Sequence, residues 1–299
     1  MKKSSLRIFI LSFLLILSIS SQASIRLATY NIRNFDYDER YRISTNKPYL
    51  KKILEEISAD LIAVQEINNT EEFRRFIKSH FPHYEVALSA CGGAHRQHLG
   101  FVYDQRKIEL LSTEEDTHFN LNDHNCLGGS RPAFIGVFKY IDQKEPFVAV
   151  SLHLKSGSKA DSIQKRISQY DLIGRLKSRY EKIGYSHFVL MGDMNTTGFL
   201  NQMYDHQAFI NMILQNQFED LGKNLKCTAY WWGLTDDNIE EPSVLDHILI
   251  SKSLRSKSGI ETNALGHCQK VSCKSASVDE LGASYQGVSD HCPILAQFK

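Results

Sequence analysis

No apolar stretch of this 299-residue chain reaches the roughly 20 residues that a membrane-spanning helix needs. The longest, Ile8 to Ile19, holds twelve residues, two of them serines. It follows Lys2, Lys3 and Arg7 and precedes Ser21-Gln22-Ala23, a small-x-small triplet. That order of basic, apolar and small residues is a secretory signal peptide over residues 1–23, cleaved after Ala23, rather than an anchor. The expectation is an exported protein, periplasmic or extracellular, whose working domain is residues 24–299.

A surplus of charge is also missing. The formal charge is +1, and removing the three basic residues of the leader leaves −2. No overall basic field draws in nucleic acid, so attraction to phosphate must be local, from a basic groove or a bound cation. Proline is scarce at six residues and glycine ordinary at 17, which excludes a collagenous or low-complexity chain. No CxxC pair occurs, so a cysteine metal site has little support. The six cysteines Cys91, Cys126, Cys227, Cys268, Cys273 and Cys292 are an even count, which in an exported chain reads as disulfides. Six cysteines allow fifteen pairings, and spacing does not choose among them. Cys268 and Cys273 are near enough for a short local loop.

What is present is a run of short apolar segments. Their spacing predicts strands at Ile25–Tyr30, Asp60–Gln65, Tyr84–Leu88, Leu99–Tyr103, Ile108–Ser112, Pro132–Tyr140, Pro146–Leu154, His187–Met191, Val244–Ser251 and Pro293–Phe298. Helical spacing marks Pro48–Ser58, Glu71–Ser79, Ser162–Tyr180 and Gln207–Gln215. Residues 252–286 are polar and read as loop with room for one strand. Many strands are neighbours in sequence, which predicts an α/β (α+β) layered domain with mixed sheets.

Polar residues gather at the ends of these strands, where loops present side chains from a rigid scaffold. Asn31 follows the first strand and Glu66 ends the second. His153 lies at the end of Pro146–Leu154. Asp193 and Asn195 follow His187–Met191 through Gly192, Asp246 opens the next strand, and Asp290 and His291 precede Pro293. Alone, each has an ordinary reading as a turn, a cap, a solvated strand end or a half-buried histidine. Together they supply four carboxylates, two carboxamides and two imidazoles. Hard divalent cations take oxygen ligands from Asp, Glu and Asn. Histidine moves protons near neutral pH, and an Asp partner fixes its tautomer. The negative charge of a phosphoryl transition state is stabilised by a cation, an imidazolium and N–H donors. The set suits phosphodiester hydrolysis.

Seven pieces, in order, resemble the endonuclease/exonuclease/phosphatase superfamily, of which deoxyribonuclease I is a member. They are Thr29-Tyr30-Asn31-Ile32-Arg33, Ile62-Ala63-Val64-Gln65-Glu66, Ser130-Arg131-Pro132, Leu152-His153-Leu154-Lys155, Gly192-Asp193-Met194-Asn195, Leu245-Asp246-His247-Ile248-Leu249 and Ser289-Asp290-His291-Cys292-Pro293. The resemblance spans Ile25 to Phe298 and implies a four-layer sandwich, two mixed β-sheets face to face with helices outside. It also implies roles. Asn31, Glu66 and Asp290 would surround Mg2+ or Mn2+, with a structural Ca2+ as a further cation. Asp193 would orient or deprotonate the attacking water, and Asn195 would hold that water or a phosphate oxygen. His291, paired with Asp246, would be the acid/base at the scissile phosphate. His153 would be the second histidine and Arg131 a phosphate-oxygen ligand.

The chain departs from the family pattern at Tyr30, where many members carry Trp, and at Gln97, which stands where deoxyribonuclease I has a carboxylate partner for the second histidine. Gln97 would leave His153 with a neutral partner and a less raised pKa. The loop from Leu88 to Leu99, with Cys91, Gly92, Gly93, His95, Arg96 and His98, reads equally as a substrate loop or plain surface. Superfamily membership leaves the substrate open. The expected activity is DNA hydrolysis, with RNA as a second nucleic-acid substrate, by a monomer without stable membrane association. The alternatives are a sphingomyelinase-like lipid phosphodiesterase and an inositol-phosphate phosphatase. Lys155, Lys159, Lys165 and Arg166 either line a backbone groove or form a solvated helix face. Among Tyr230, Trp231 and Trp232, one Trp is expected in the core, and the rest stack on substrate or pack inside.

Overall fold

The computed structural model describes residues 25–121, 126, 128–233, 237–255 and 259–299, so the expected signal peptide lies outside the described residues. Two six-stranded sheets carry the chain. The first runs in the order Ile260–Ala264, Ile294–Phe298, Arg26–Phe35, Leu61–Ile67, His98–Asp104, Tyr84–Leu88. The second runs Phe218–Asp220, Asp246–Ser251, Phe188–Asp193, Phe147–His153, Ala133–Tyr140, Ile108–Asp116. Each sheet is antiparallel except for one central parallel pair. In the first, Arg26–Phe35 runs parallel to Leu61–Ile67; in the second, Phe147–His153 runs parallel to Phe188–Asp193. A parallel neighbour needs a long crossover. The helices Lys47–Ile57 and Ala160–Lys182 supply the two crossovers.

Alternation along each strand divides the apolar residues among three layers. Leu61 and Ala63 point between the sheets, while Ile62 and Val64 point out toward Lys47–Ile57 and Thr70–His80. Likewise Phe147 and Ala149 face inward, and Val148, Val150 and Leu152 face Ala160–Lys182 and His206–Gln215. The result is the four-layer sandwich, helix on sheet on sheet on helix. Local signals start the helices where they are needed. Asn46 accepts from the Tyr49 N–H, Pro48 stands in the first turn, and Leu50, Ile53, Leu54 and Ile57 form one buried stripe. Burial of each such side chain is worth about 1.5–3 kcal/mol.

The segment 252–286 is more ordered than its polarity predicts. It adds the edge strand Ile260–Ala264, the short helices Gly266–Lys270 and Val278–Leu281, and the strand Ala276–Ser277. Ala276–Ser277 joins Ile239–Ser243 and Ala229–Trp231 in a small third sheet. Disulfides replace an extended core here. Cys227 bonds Cys273 and Cys268 bonds Cys292, so Cys268 and Cys273 do not close a local loop with each other. The third pair is Cys91–Cys126. Three disulfides indicate a non-cytosolic location. No helix among the described residues is long and apolar enough to cross a membrane.

Candidate active site

Strand periodicity builds the site. On the inward faces, side chains two apart run Leu27, Thr29, Asn31; Ala63, Gln65; Ala149, Ser151, His153; Met191, Asp193; and, in reverse, Ile248, Asp246. Every series turns from apolar to polar at the same end of the sandwich. Gln65 Nε2 donates across the sheets to Ser151 Oγ at 3.2 Å, and Thr29 Oγ1 donates to Gln65 Oε1 at 3.3 Å. One row further, Asp193 is the cross-strand partner of both His153 and Asp246. Asn31 reaches them from the opposite sheet, donating from Nδ2 to Asp193 Oδ2 at 3.1 Å and to Glu66 Oε1 at 3.2 Å.

Two backbone features aim the acids. Glu66 follows the inward Gln65, so regular alternation would turn it outward. The register slips between Val64 and Ile67, and Glu66 sits at φ 61°. That bulge reverses the parity: Ile67 joins the outer core, and Glu66 turns in, where its Oε2 also accepts from the Asn34 N–H at 3.1 Å. Gly192 has φ +143°, and a Cβ there would lie 2.0 Å from the Leu152 carbonyl oxygen, so only glycine lets Asp193 emerge at this point. The Asn195 N–H then donates to Asp193 Oδ1 at 2.9 Å, and Asn195 Nδ2 donates to the Leu154 carbonyl at 3.1 Å.

His291 enters from the segment before the last strand. Its Nδ1 lies 2.8 Å from Asp246 Oδ2, and its Nε2 lies 3.7 Å from Asp193 Oδ2. Burial opposes a charge on this ring, yet Asp246 and Asp193 together hold its pKa well above the ordinary histidine value. Asp193 is pushed up by burial; His291 works against the shift, while Asp246 and Glu66 add to it. Burial also raises Glu66, with Arg131 opposing and Asp290 reinforcing. His153 is the opposite of His291. Burial, and then the charges of Arg131, His291 and Lys155, press its pKa well below normal, so it is neutral. Its Nε2 stands 3.3 Å from Asp193 Oδ2 and 3.7 Å from Glu66 Oε1.

The structure corrects one expectation here. Gln97 is not the partner of His153. Its Oε1 accepts from Arg131 Nη2, and its Nε2 donates to Asn34 Oδ1 at 2.8 Å. His153 Nδ1 and Asp246 Oδ1 are buried without a hydrogen-bond partner among the described residues. Arg131 is no ordinary surface arginine: burial lowers its pKa, and the charges of Glu66 and Asp193 oppose that shift.

The donor set fits a divalent cation. Ligand atoms of Glu66, His153 and Asp193 lie within 4.8 Å of one another, as do those of Asp193, Asp246 and His291. Buried Asp193 and half-buried Glu66 share one Asn31 donor, and the Glu66 charge adds to the raised pKa of Asp193. A hard cation with oxygen ligands relieves such a cluster. Asp290 is half-buried and belongs to neither group, but its charge acts on Glu66 and His291.

A family model described as the Endonuclease/Exonuclease/phosphatase family matches residues 28–291. The chain belongs to the endonuclease/exonuclease/phosphatase family. The family comprises phosphodiesterases and phosphatases, hydrolases of phosphate ester bonds. Solved members share the fold. An endonuclease/exonuclease/phosphatase from Bacteroides vulgatus is 20% identical, with TM-score 0.61 over 93% of this chain and 99% of that one. The human Nocturnin catalytic domain with bound sulfate is 14% identical, with TM-score 0.63 over 92% and 94%. D. rerio TDP2 complexed with a single strand DNA product is 14% identical, with TM-score 0.59 over 93% and 99%. No curated protein matches the chain.

Within this family fold, several supporting residues carried no readable sequence signal. Thr228 Oγ1 accepts from the N–H groups of Leu245 and Asp246 at 2.9 and 3.0 Å and so places Asp246. Ser289 Oγ donates to the Asn31 carbonyl at 2.7 Å and accepts from the His291 N–H at 3.0 Å, tying the two sides of the site together. A lone Thr or Ser acting on backbone groups has no motif. Arg166, expected in a groove or on a solvated face, is instead fully buried and gripped by Asp205. Trp231 and Trp232 are both exposed, at 37% and 57%, so neither is the expected core tryptophan; Tyr230 is the buried member.

Proposed function

We propose that residues 24–299 form an exported, divalent-cation-dependent phosphodiesterase that hydrolyses nucleic acid, DNA in first place, by direct attack of water on phosphorus. The observation that carries this reading is the convergence of Asp193, His291–Asp246 and Asn31–Glu66 at one end of the sandwich. Asp193 is a buried carboxyl with a raised pKa, suited to orient a water and take its proton through Oδ2. The Asn195 N–H holds the other oxygen, Oδ1, and so fixes the direction of attack. Asp246 binds the Nδ1 side of His291, which leaves a protonated Nε2 to face a phosphoryl or leaving oxygen. Neutral His153 donates from Nε2 on the other side, and Arg131 binds a further phosphate oxygen. Asn31, Glu66 and Asp290 would hold Mg2+ or Mn2+, whose charge supplies electrostatic stabilisation to the phosphoryl oxygens when it is bound.

The choice of nucleic acid is supported by export and by the DNA product held by the TDP2 relative. The lipid alternative rests on the exposed pair Trp231–Trp232, since exposed aromatic side chains favour a membrane interface. However, Arg40 stacks over the Trp232 ring at 5.0 Å, which places a cation on that surface. The decisive experiment incubates the protein with supercoiled plasmid, linear DNA, RNA and sphingomyelin, with Mg2+ or with EDTA. Nicking of plasmid that EDTA abolishes and Mg2+ or Mn2+ restores is the expected result. Cleavage of sphingomyelin alone, or cutting that persists in chelator, would overturn it.

A further inference from the structure

Beside the site lies a cleft of about 300 Å3 whose lining includes His95, Ser130, Arg131, Lys155 and Lys165. Arg131 belongs to both places, since its charge acts on Glu66 and Asp193. Lys155 lies two residues beyond His153, the last residue of its strand, so the loop that leaves the histidine carries the lysine. Lys155 Nζ donates to the Ser156 carbonyl at 2.9 Å and makes no ion pair with a carboxylate among the described residues. Lys165 pairs with Asp161 at 2.8 Å, an exposed i,i+4 contact that competes weakly with a ligand. Partial burial, and then repulsion from Arg131, Lys165 and Arg166, lowers the pKa of Lys155. The cleft therefore gathers three cationic side chains, of which Lys165 is countered only by an exposed Asp161, Arg131 by Glu66 and Asp193 of the neighbouring site, and Lys155 by no carboxylate ion pair among the described residues.

Its walls are held in place. Cys91 bonds Cys126, and Asn120 Nδ2 lies 3.5 Å from Cys91 Sγ. A Cβ on Gly93 would meet the Ser130 carbonyl oxygen at 2.8 Å, so the two wall segments touch backbone to backbone. Buried Arg166 donates from Nη1 to the carbonyls of Lys155 and Gly157 at 2.6 and 3.0 Å, which fixes the segment that carries Lys155. A preformed cationic cleft binds an anion without first ordering its own loops.

We infer that this cleft is a second phosphate subsite, so that the substrate carries at least one phosphate besides the one cleaved. The inference rests on the phosphodiesterase reading and narrows it. A polynucleotide chain and an inositol polyphosphate both meet the requirement. A sphingomyelin headgroup, with one phosphate, does not.

The test measures binding in EDTA, where hydrolysis is silent. Fluorescence anisotropy of a labelled single-stranded oligodeoxynucleotide of about a dozen bases is recorded over a range of salt for the parent and for Lys155→Ala/Lys165→Ala. Thermal melting checks that the variant is folded. The expected result is roughly tenfold weaker binding and a log K against log salt slope reduced by about 0.7, the value for one phosphate contact on a single strand. Equal affinity and slope in the two proteins would overturn the inference. Displacement of the oligonucleotide by phosphocholine as readily as by myo-inositol hexakisphosphate would also overturn it. With Mg2+ restored, the polyphosphorylated substrate whose kcat/KM falls in the variant identifies the source, while bis(4-nitrophenyl) phosphate, with one phosphate, is hydrolysed within about twofold of the parent. If the parent hydrolyses no diester but the variant still binds the oligonucleotide more weakly, the catalytic reading fails and the subsite stands.

Discussion

His291 keeps its proton because Asp246 and Asp193 lie on two sides of a buried ring, and removing either the ring or its acceptors exposes what that proton does. His291→Ala and Asp193→Ala are each expected to lower plasmid nicking by at least about a hundredfold, the usual scale for an acid/base group. Normal nicking by either variant would remove that residue from the mechanism. Asp246→Asn is a finer probe. It keeps the shape but loses the charge that supports the imidazolium, so the fall in kcat should be accompanied by a shift of the activity profile to lower pH, as His291 gives up its proton more readily. An unshifted profile would show that Asp246 acts through shape alone. These residues were legible in the sequence because each is a polar residue at the end of an apolar strand. Thr228 and Ser289 were not, since they work through backbone hydrogen bonds that leave no pattern. Gln97 shows the limit of matching to a family: its position was readable, but its bond to Arg131 rather than His153 depends on packing between distant loops.

At the scale of elements, the long strands and helices were readable from period-2 and period-3.6 spacing, while two devices were not. The bulge at Glu66 interrupts an apolar run without a glycine or proline to mark it. The short pieces in 252–286 are only two to five residues long, too short to show a period. A third device joins the two parallel strands of the second sheet. Arg166, on helix Ala160–Lys182, binds both oxygens of Asp205, the carbonyls of Lys155 and Gly157, and Thr197 Oγ1 at 2.7 Å. It thus ties the loop after His153 to the loop after Asn195. Burial raises the Asp205 carboxyl, but Arg166, Tyr170 and Thr197 outweigh it and hold the pKa below the ordinary carboxylate value. The sign follows. A depressed acid stabilises the fold above its unfolded pKa, about 4, and that stabilisation fades as pH falls through the folded value. Asp205→Asn strands a buried guanidinium and is expected to cost about 3–5 kcal/mol at neutral pH. The gap in Tm between parent and variant should narrow below about pH 4, and a gap that stays constant down to acid pH would mean that the Asp205 charge contributes nothing.

For the whole molecule, the sandwich places its site where both sheets run out of apolar residues, and disulfides secure the parts that the sandwich core does not reach. The inward faces are readable as a gradient, from Leu27 and Met191 through Thr29, Gln65 and Ser151 to the acids and histidines. The disulfide pairing was not readable, because it depends on three-dimensional proximity between segments 24 to 46 residues apart. Loops of that size are each worth about 3–4 kcal/mol when closed, so reductant should lower the Tm by several degrees, and an unchanged melting curve would argue for free thiols. The three bridges should differ in what else they disturb. Cys227–Cys273 and Cys268–Cys292 bracket the segment that delivers Ser289, Asp290 and His291, and the Cys268 N–H lies 3.1 Å from Cys292 Sγ. Cys268→Ala/Cys292→Ala should therefore lose both Tm and hydrolysis of a small diester, because His291 is anchored one residue from the bridge. Cys91→Ala/Cys126→Ala should lose Tm with the small-diester rate retained, since that bridge supports the neighbouring cleft through Asn120 and the Cys91 N–H donates to Glu115 rather than to Glu66, Asp193, Asp246 or His291. Equal catalytic losses in the two double variants would mean that the bridges act only through global stability.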